Sequence, residues 1–123
     1  SPIPGLAAWA KDMGIEETVT PDNLQSLAAH YLLNAKRDDG APRDPVARFH
    51  LGNGAMVHAV HVKADTSESG QVKSYGAMVN YLYDLSANAQ NHEGFADSFA
   101  VAASTDVKAL ARAAKKNDTK GTI

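Results

Sequence analysis

Residues Asp44–Ala55 read DPVARFHLGNGA, and this stretch orders the rest of the chain. Asp44 can cap a short helix that Pro45 begins, because a carboxylate accepts the free N–H groups of a first turn and proline suits its first position. Val46 and Phe49 then have core spacing, leaving Arg48 and His50 to point elsewhere. Gly52 and Gly54 flank Asn53 at a corner expected to need positive φ. From Ala55 to Val62 the chain is rich in β-formers and reads as a strand. His50 therefore stands at a helix-to-strand junction, braced on both sides, with its imidazole free to face a cleft. Alone it is equally a structural or a solvated histidine, so its weight depends on partners elsewhere.

Composition narrows those partners. The chain has 123 residues, a formal charge of −2 from 12 basic and 14 acidic residues, and a hydrophobic fraction of 44%. That is one ordinary globular domain or part of one, with no general attraction for nucleic acid or an anionic membrane. With no cysteine, disulfides, thiolate catalysis and cysteine-based zinc sites are excluded. No apolar run approaches the roughly 20 residues of a membrane span, and the proline-rich start lacks a signal peptide's charged and apolar regions. The first residue is Ser1 rather than methionine, so a processed chain or a piece of a longer one is expected.

Ser1-Pro2-Ile3-Pro4-Gly5 cannot be regular structure, since both prolines fix φ and remove a donor. It is read as a rigid turn presenting the Ser1 side chain, or else as a surface linker. A short helix follows over Leu6–Met13 with Trp9 in the core, and Gly14 ends it. Thr20-Pro21 predicts a helix start, with Thr20 as cap, running to about Lys36 and placing Leu24, Leu27, Ala28, Tyr31 and Leu32 on one face. Thr66–Gly70 is read as a turn-rich connection to a second strand over about Ser74–Tyr83. His58 and His61, three apart on the first strand, are expected on opposite faces, against a shared metal ion. Helices are predicted over Asn91–Val101 and Ser104–Lys115, with a polar, disordered tail over residues 116–123 behind a domain of residues 1–115.

The fold class is thus α+β, an antiparallel strand pair at about 55–62 and 74–83 packed with helices. Two isolated strands are marginal in water, so further strands are expected to precede Ser1 in a complete protein.

Four strings now carry a resemblance: SPIPG at 1–5, DPVARFHLGNGA at 44–55, ADTS at 64–67 and MVNYLYDL at 78–85. In order and content they resemble the C-terminal catalytic region of malonyl-CoA decarboxylases, with weaker similarity through Asn91-His92-Glu93. The resemblance implies part of an acetyltransferase-like catalytic domain, cytoplasmic and of compact bacterial type. It implies non-oxidative decarboxylation of malonyl-CoA to acetyl-CoA and CO2, and association with further copies of the chain. Carried over position by position, Ser1 matches the catalytic serine, His50 the catalytic histidine and Tyr83 an active-site tyrosine. Ser1 and His50 are also substrate-binding candidates. Asn53, beside His50, is a third such candidate and equally a support for the Gly52–Gly54 corner.

Those residue types suit the reaction. Loss of CO2 leaves an enolate on the thioester, so a donor must meet the carboxylate or the developing oxyanion, and an acid must protonate carbon. Ser1 is expected in the first role, with His50 holding Ser1 and delivering the proton. Conjugation to the thioester makes the carbanion accessible, so neither a metal nor an organic cofactor is expected. Ser and His also suit a thioesterase or an acyltransferase, although no acidic third member and no Gly-x-Ser-x-Gly elbow stand out. An interaction fragment is the non-enzymatic alternative. Arg48 is assigned to a surface ion pair rather than a CoA phosphate, and His92 and Glu93 to an exposed helix start. His61-Val62 stands where many members have Asn-Trp. The pyrophosphate loop that precedes the serine in the family is absent from the sequence, so this chain alone is expected to be inactive and to bind CoA weakly.

Overall fold

Helix α2 (Leu24–Asn34) is the element about which the others pack. Leu24, Ala28, Ala29, Tyr31 and Leu32 are all buried along it, an arc wider than one amphipathic stripe. The reason is tertiary: α6 (Thr105–Gly121) lies on one side, and α1 (Leu6–Asp12) and β1 (Met56–His61) on others. Ala28 and Ala29 are small enough to let those neighbours approach. Leu6, Trp9 and Ala10 give α1 the i, i+3, i+4 stripe that meets this core, and Trp9 is buried there as predicted. Each fully buried leucine of this core, such as Leu32 or Leu51, contributes roughly 1.5–3 kcal/mol relative to exposure.

The computed structural model describes residues 1–63 and 66–121, with side chains as far as Ala114. The remaining elements are a 3-10 turn (Glu16–Thr18), α3 (Pro45–Gly52), α4 (Glu68–Ser74), β2 (Met78–Leu82) and α5 (Asn88–Ser98). Among the described residues the architecture is α+β, with helices around an antiparallel pair of β1 and β2. Ala64 and Asp65 of the ADTS string lie outside the described residues.

Both edges of that pair are partly covered by this chain. Ser1 and Val79 exchange two backbone hydrogen bonds, from the Ser1 amino group to the Val79 carbonyl (2.8 Å) and from the Val79 N–H to the Ser1 carbonyl (3.0 Å). On the other edge, the Val57 N–H donates to Ala102 (2.8 Å) and the Val57 carbonyl accepts from the Ser104 N–H (2.9 Å). A two-strand sheet with both edges partly paired is less exposed than an isolated strand pair.

Several boundaries differ from the sequence reading. α2 begins at Leu24, because Thr20 and Asn23 bond each other's backbone N–H through their side chains and hold Pro21-Asp22 in a turn. Thr20 caps that turn and not the helix. The Ser/Gly-rich connection holds α4, capped by Ser67 Oγ on the Gly70 N–H (3.0 Å). Ser74 therefore ends a helix instead of opening a strand. Its hydroxyl lies 3.0 and 3.1 Å from the Gly70 and Ala77 carbonyls, which share its one hydrogen and close the turn into β2. α5 starts at Asn88 and stops at Phe99, which takes the left-handed conformation (φ 56) and returns its N–H to the Phe95 carbonyl. α6 continues to Gly121, beyond the predicted Lys115, since no proline or glycine interrupts it before that residue. The predicted tail is thus helical as far as Gly121, and residues 122 and 123 lie outside the described residues.

The strict alternation assumed for β1 also fails. Val57 pairs with Tyr81 and Ala59 with Asn80, so His58 is an extra residue in a β-bulge. The bulge buries both Val57 and Val60 and leaves both His58 and His61 exposed. Alternation across opposite faces therefore does not describe this pair.

Candidate active site

Three segments far apart in sequence build the site. α3 brings His50, the strand-like start brings Ser1, and the end of β2 brings Tyr83. α3 forms as its sequence predicts: Asp44 Oδ2 accepts the Ala47 N–H (3.0 Å) with Pro45 in the first turn. Its core positions are Ala47 and Leu51 rather than Val46 and Phe49, and Phe49 is 64% exposed. The helix is rotated from the predicted face because β1 and α5 pack against it. His50 thereby lies in its last turn, facing the sheet end.

Asp44 does more than cap. Its carboxylate is 1% exposed and also lies 3.4 Å from the Gly5 N–H and 3.2 Å from the donating Tyr31 hydroxyl, both at Oδ1. One buried group thus ties the Ser1-bearing turn, α2 and α3 together. Burial pushes the Asp44 carboxyl up, against the opposing pull of its hydrogen bonds. Burial and the nearby carboxylate raise the Tyr31 phenol strongly, so it remains a donor. The contact requires Gly5, since a Cβ there would stand 2.2 Å from the Tyr31 hydroxyl oxygen.

The far side of α3 is braced at its corner. Gly54 has φ 89, and a Cβ there would stand 2.5 Å from the Asn88 carbonyl oxygen. With its amide nitrogen facing the corner, Asn88 donates to the Asn53 (2.9 Å) and Gly54 (3.2 Å) carbonyls. His92 Nδ1 lies 2.7 Å from the Gly52 carbonyl. His92 is thus in the middle of α5 and in contact with the corner, not at a helix start. Arg48 donates to the Pro42 and Arg43 carbonyls, both at 2.9 Å, so it staples the preceding loop in place of the expected surface ion pair.

Between these braces, Ser1, His50 and Tyr83 form one polar chain. Ser1 Oγ lies 3.4 Å from His50 Nε2, and the Tyr83 hydroxyl 2.6 Å from His50 Nδ1. The serine contact is long for such a bond, and catalytic hydrogen bonds commonly tighten only when substrate binds. Desolvation lowers the His50 pKa below the ordinary 6.5. Asn53 is not part of this chain: it is exposed, caps α3 and donates its amide to the Phe49 carbonyl (2.9 Å).

The sequence reading missed Tyr81. Its ring stacks on the His50 imidazole at 4.3 Å with an 18° interplanar angle, while Tyr83 meets the same ring edge-on. The signal was available: tyrosines two apart on a strand face one side. His61 instead lies 3.0 Å from the Asn80 amide. Among the described residues no group of three His, Cys, Asp or Glu side chains could hold a metal, and no helix is long and apolar enough to cross a membrane. A cavity of about 510 Å³ lined by Val19, Leu24, Val62 and Tyr75 contains none of the three polar-chain residues.

A histidine bonded on one nitrogen to serine and on the other to a phenol, at the end of an α+β sheet, has the form of a proton-transfer site. The chain belongs to the malonyl-CoA decarboxylase family, whose C-terminal-domain model matches residues 1–121. It is 35% identical over 102 residues to the mitochondrial malonyl-CoA decarboxylase of Rattus norvegicus, covering 83% of this chain and 20% of that protein. The malonyl-CoA decarboxylase structures from Rhodopseudomonas palustris and Agrobacterium vitis superpose with TM-scores of 0.78 and 0.79. Their identities are 36% and 35%, over 89% of this chain and 32% and 34% of theirs. The chain therefore spans about a third of those structures and a fifth of the rat relative.

Proposed function

We propose that this chain supplies the acid–base residues of a malonyl-CoA decarboxylase, which converts malonyl-CoA to acetyl-CoA and CO2. The observation that carries this reading is the Ser1–His50–Tyr83 chain, set in a sequence of that family. The Ser1 hydroxyl donates to the malonyl carboxylate or to the thioester oxygen. The bond between the carboxylate carbon and the α-carbon breaks, its electron pair passes into the thioester as an enolate, and CO2 departs. His50 in its charged form then donates a proton to the α-carbon, giving acetyl-CoA, and regains a proton from solvent. Both ring nitrogens donate in that form, so the Tyr83 oxygen accepts from Nδ1 and leaves Nε2 aimed at Ser1 and the carbon.

A negative substrate favours the charged imidazole, which offsets the lowering of the His50 pKa in the free protein. A placed general acid contributes roughly 10²–10⁴ in rate, and donors aimed at the developing oxyanion add a comparable factor. The phenol at Nδ1, where a hydrolytic triad has a carboxylate, supports this reading over a thioesterase. Asn53, with its amide engaged on Phe49, retains its side-chain oxygen as a substrate contact.

The complete enzyme acts in the cytoplasm as an oligomer of this chain, within an acetyltransferase-like domain. The test is a product assay on the full-length protein with malonyl-CoA and no added metal. Acetyl-CoA and CO2 are expected; free CoA with malonate would replace this reading by a thioesterase, and acyl transfer to an amine by an acyltransferase.

A further inference from the structure

We propose that Tyr81 is the positioning residue of the site, a flat platform that holds the His50 ring in the plane of its two hydrogen bonds. The proposal rests on the acid–base role assigned to His50 above.

Ser1 and Tyr83 contact His50 at its ring nitrogens, and those contacts constrain the ring along its plane. They do little against tilting out of the plane. Tyr81 covers one face at 4.3 Å and 18°, and Phe49 (5.2 Å, 79°) and Tyr83 (5.8 Å, 64°) stand at its edges. The platform is itself anchored, because Tyr81 pairs across the sheet with Val57, whose other edge is bonded to Ala102 and Ser104. The aromatic face also attracts a cation, and so favours the charged imidazole that donates the proton.

The Tyr81 hydroxyl has a different standing. It is buried and has no hydrogen-bond partner among the described residues. The ring, and not the hydroxyl, therefore makes the contact that matters to His50. The sheet needs only a residue of suitable shape at this position; the site needs an aromatic face.

This separates two substitutions. In the full-length protein, Tyr81→Phe keeps the face, and kcat and KM for malonyl-CoA are expected within about threefold of wild type. Tyr81→Leu removes it, and kcat is expected to fall by about 10- to 100-fold with KM within about threefold, as for a reacting group displaced by about 1 Å. A Leu variant with unchanged kcat would overturn the proposal, as would a Phe variant as impaired as Leu. If Tyr81→Leu does not fold, Tyr81→Met makes the same comparison. A second readout is independent of turnover: the His50 ring titration followed by NMR. Its midpoint is expected to stay in Tyr81→Phe and to fall by about half a pH unit in Tyr81→Leu or Tyr81→Met; an unmoved midpoint in the aliphatic variant overturns the proposal. A wild-type protein that does not decarboxylate malonyl-CoA would remove the functional reading, while the NMR comparison would still decide the role of Tyr81.

Discussion

The Tyr83 hydroxyl lies 2.6 Å from His50 Nδ1, across 33 positions of sequence. This short contact sets the ring's orientation, because it decides which nitrogen is left to face Ser1. Tyr83→Phe should therefore keep the fold, since the ring is 46% exposed, yet reduce kcat about 10- to 100-fold. His50→Asn should cost more, roughly 10²–10⁴, with unchanged circular dichroism. In the double variant the Tyr83→Phe effect should disappear, because the phenol acts only through the imidazole. Steady-state kinetics on the full-length protein checks this, and additive losses would separate the two residues.

Stability should follow pH through the same histidine. Its pKa in the folded protein is lowered, chiefly by desolvation. The unfolded chain therefore takes up the proton first, at its ordinary pKa of about 6.5. The stabilising contribution is fully present above that pH and is lost as pH falls through the lower folded value. Urea denaturation at neutral and mildly acidic pH should show wild type losing more stability on acidification than His50→Asn. Equal losses would show that His50 is not a source of the pH dependence.

The approach of Gly5 to Tyr31 predicts a rescue. A Cβ at Gly5 meets the Tyr31 hydroxyl oxygen at 2.2 Å but the next ring carbon only at 3.4 Å. Gly5→Ala should destabilise by about 1–3 kcal/mol, the usual cost of overpacking. Tyr31→Phe, which deletes the obstructing oxygen, should recover much of that loss in the double variant, measured by thermal or urea unfolding. Additive losses would place the clash elsewhere.

Removing the Asp44 carboxylate strands three donors: the N–H groups of Gly5 and Ala47 and the Tyr31 hydroxyl. Asp44→Ala should cost about 2–4 kcal/mol, combining a lost helix cap with buried unpaired groups. Asp44→Asn, which keeps one of the two acceptor oxygens and so strands only the donors at the other, should cost less than Ala. A calorimetric comparison of the two variants tests the tie between the Ser1 turn and α3.

Local chemistry was legible in the sequence wherever a residue's partner lies a few positions away. Asp44 and Pro45 begin α3 and Gly14 closes the α1 turn at positive φ, through contacts within a turn or two. Of the two glycines around Asn53, only Gly54 takes positive φ, and Gly52 stays in α3. α4 was hidden because its cap, Ser67, sits among Ser and Gly residues that equally suit a loop. The two faces of β1 were misread because a bulge at His58 depends on pairing with β2 and has no signature in its own strand.

Ser1, His50 and Tyr83 could be named as candidates from the family resemblance that their strings carry. Their meeting was not legible there. It depends on Ser1 joining the edge of β2 at Val79, on α3 turning Ala47 and Leu51 inward, and on buried Asp44 binding Gly5 to the start of α3. The spacing of Tyr81 and Tyr83 put them on one side of the strand, but Tyr81 becomes a platform only when a histidine from another element is laid on its face. Sequence alone determined the starts of α3 and α6 and the kinds of reactive group available, because backbone propensity and capping act over a few residues. The tertiary structure decided which of those groups share a site, because burial and long-range pairing select one arrangement from the many that local preferences permit.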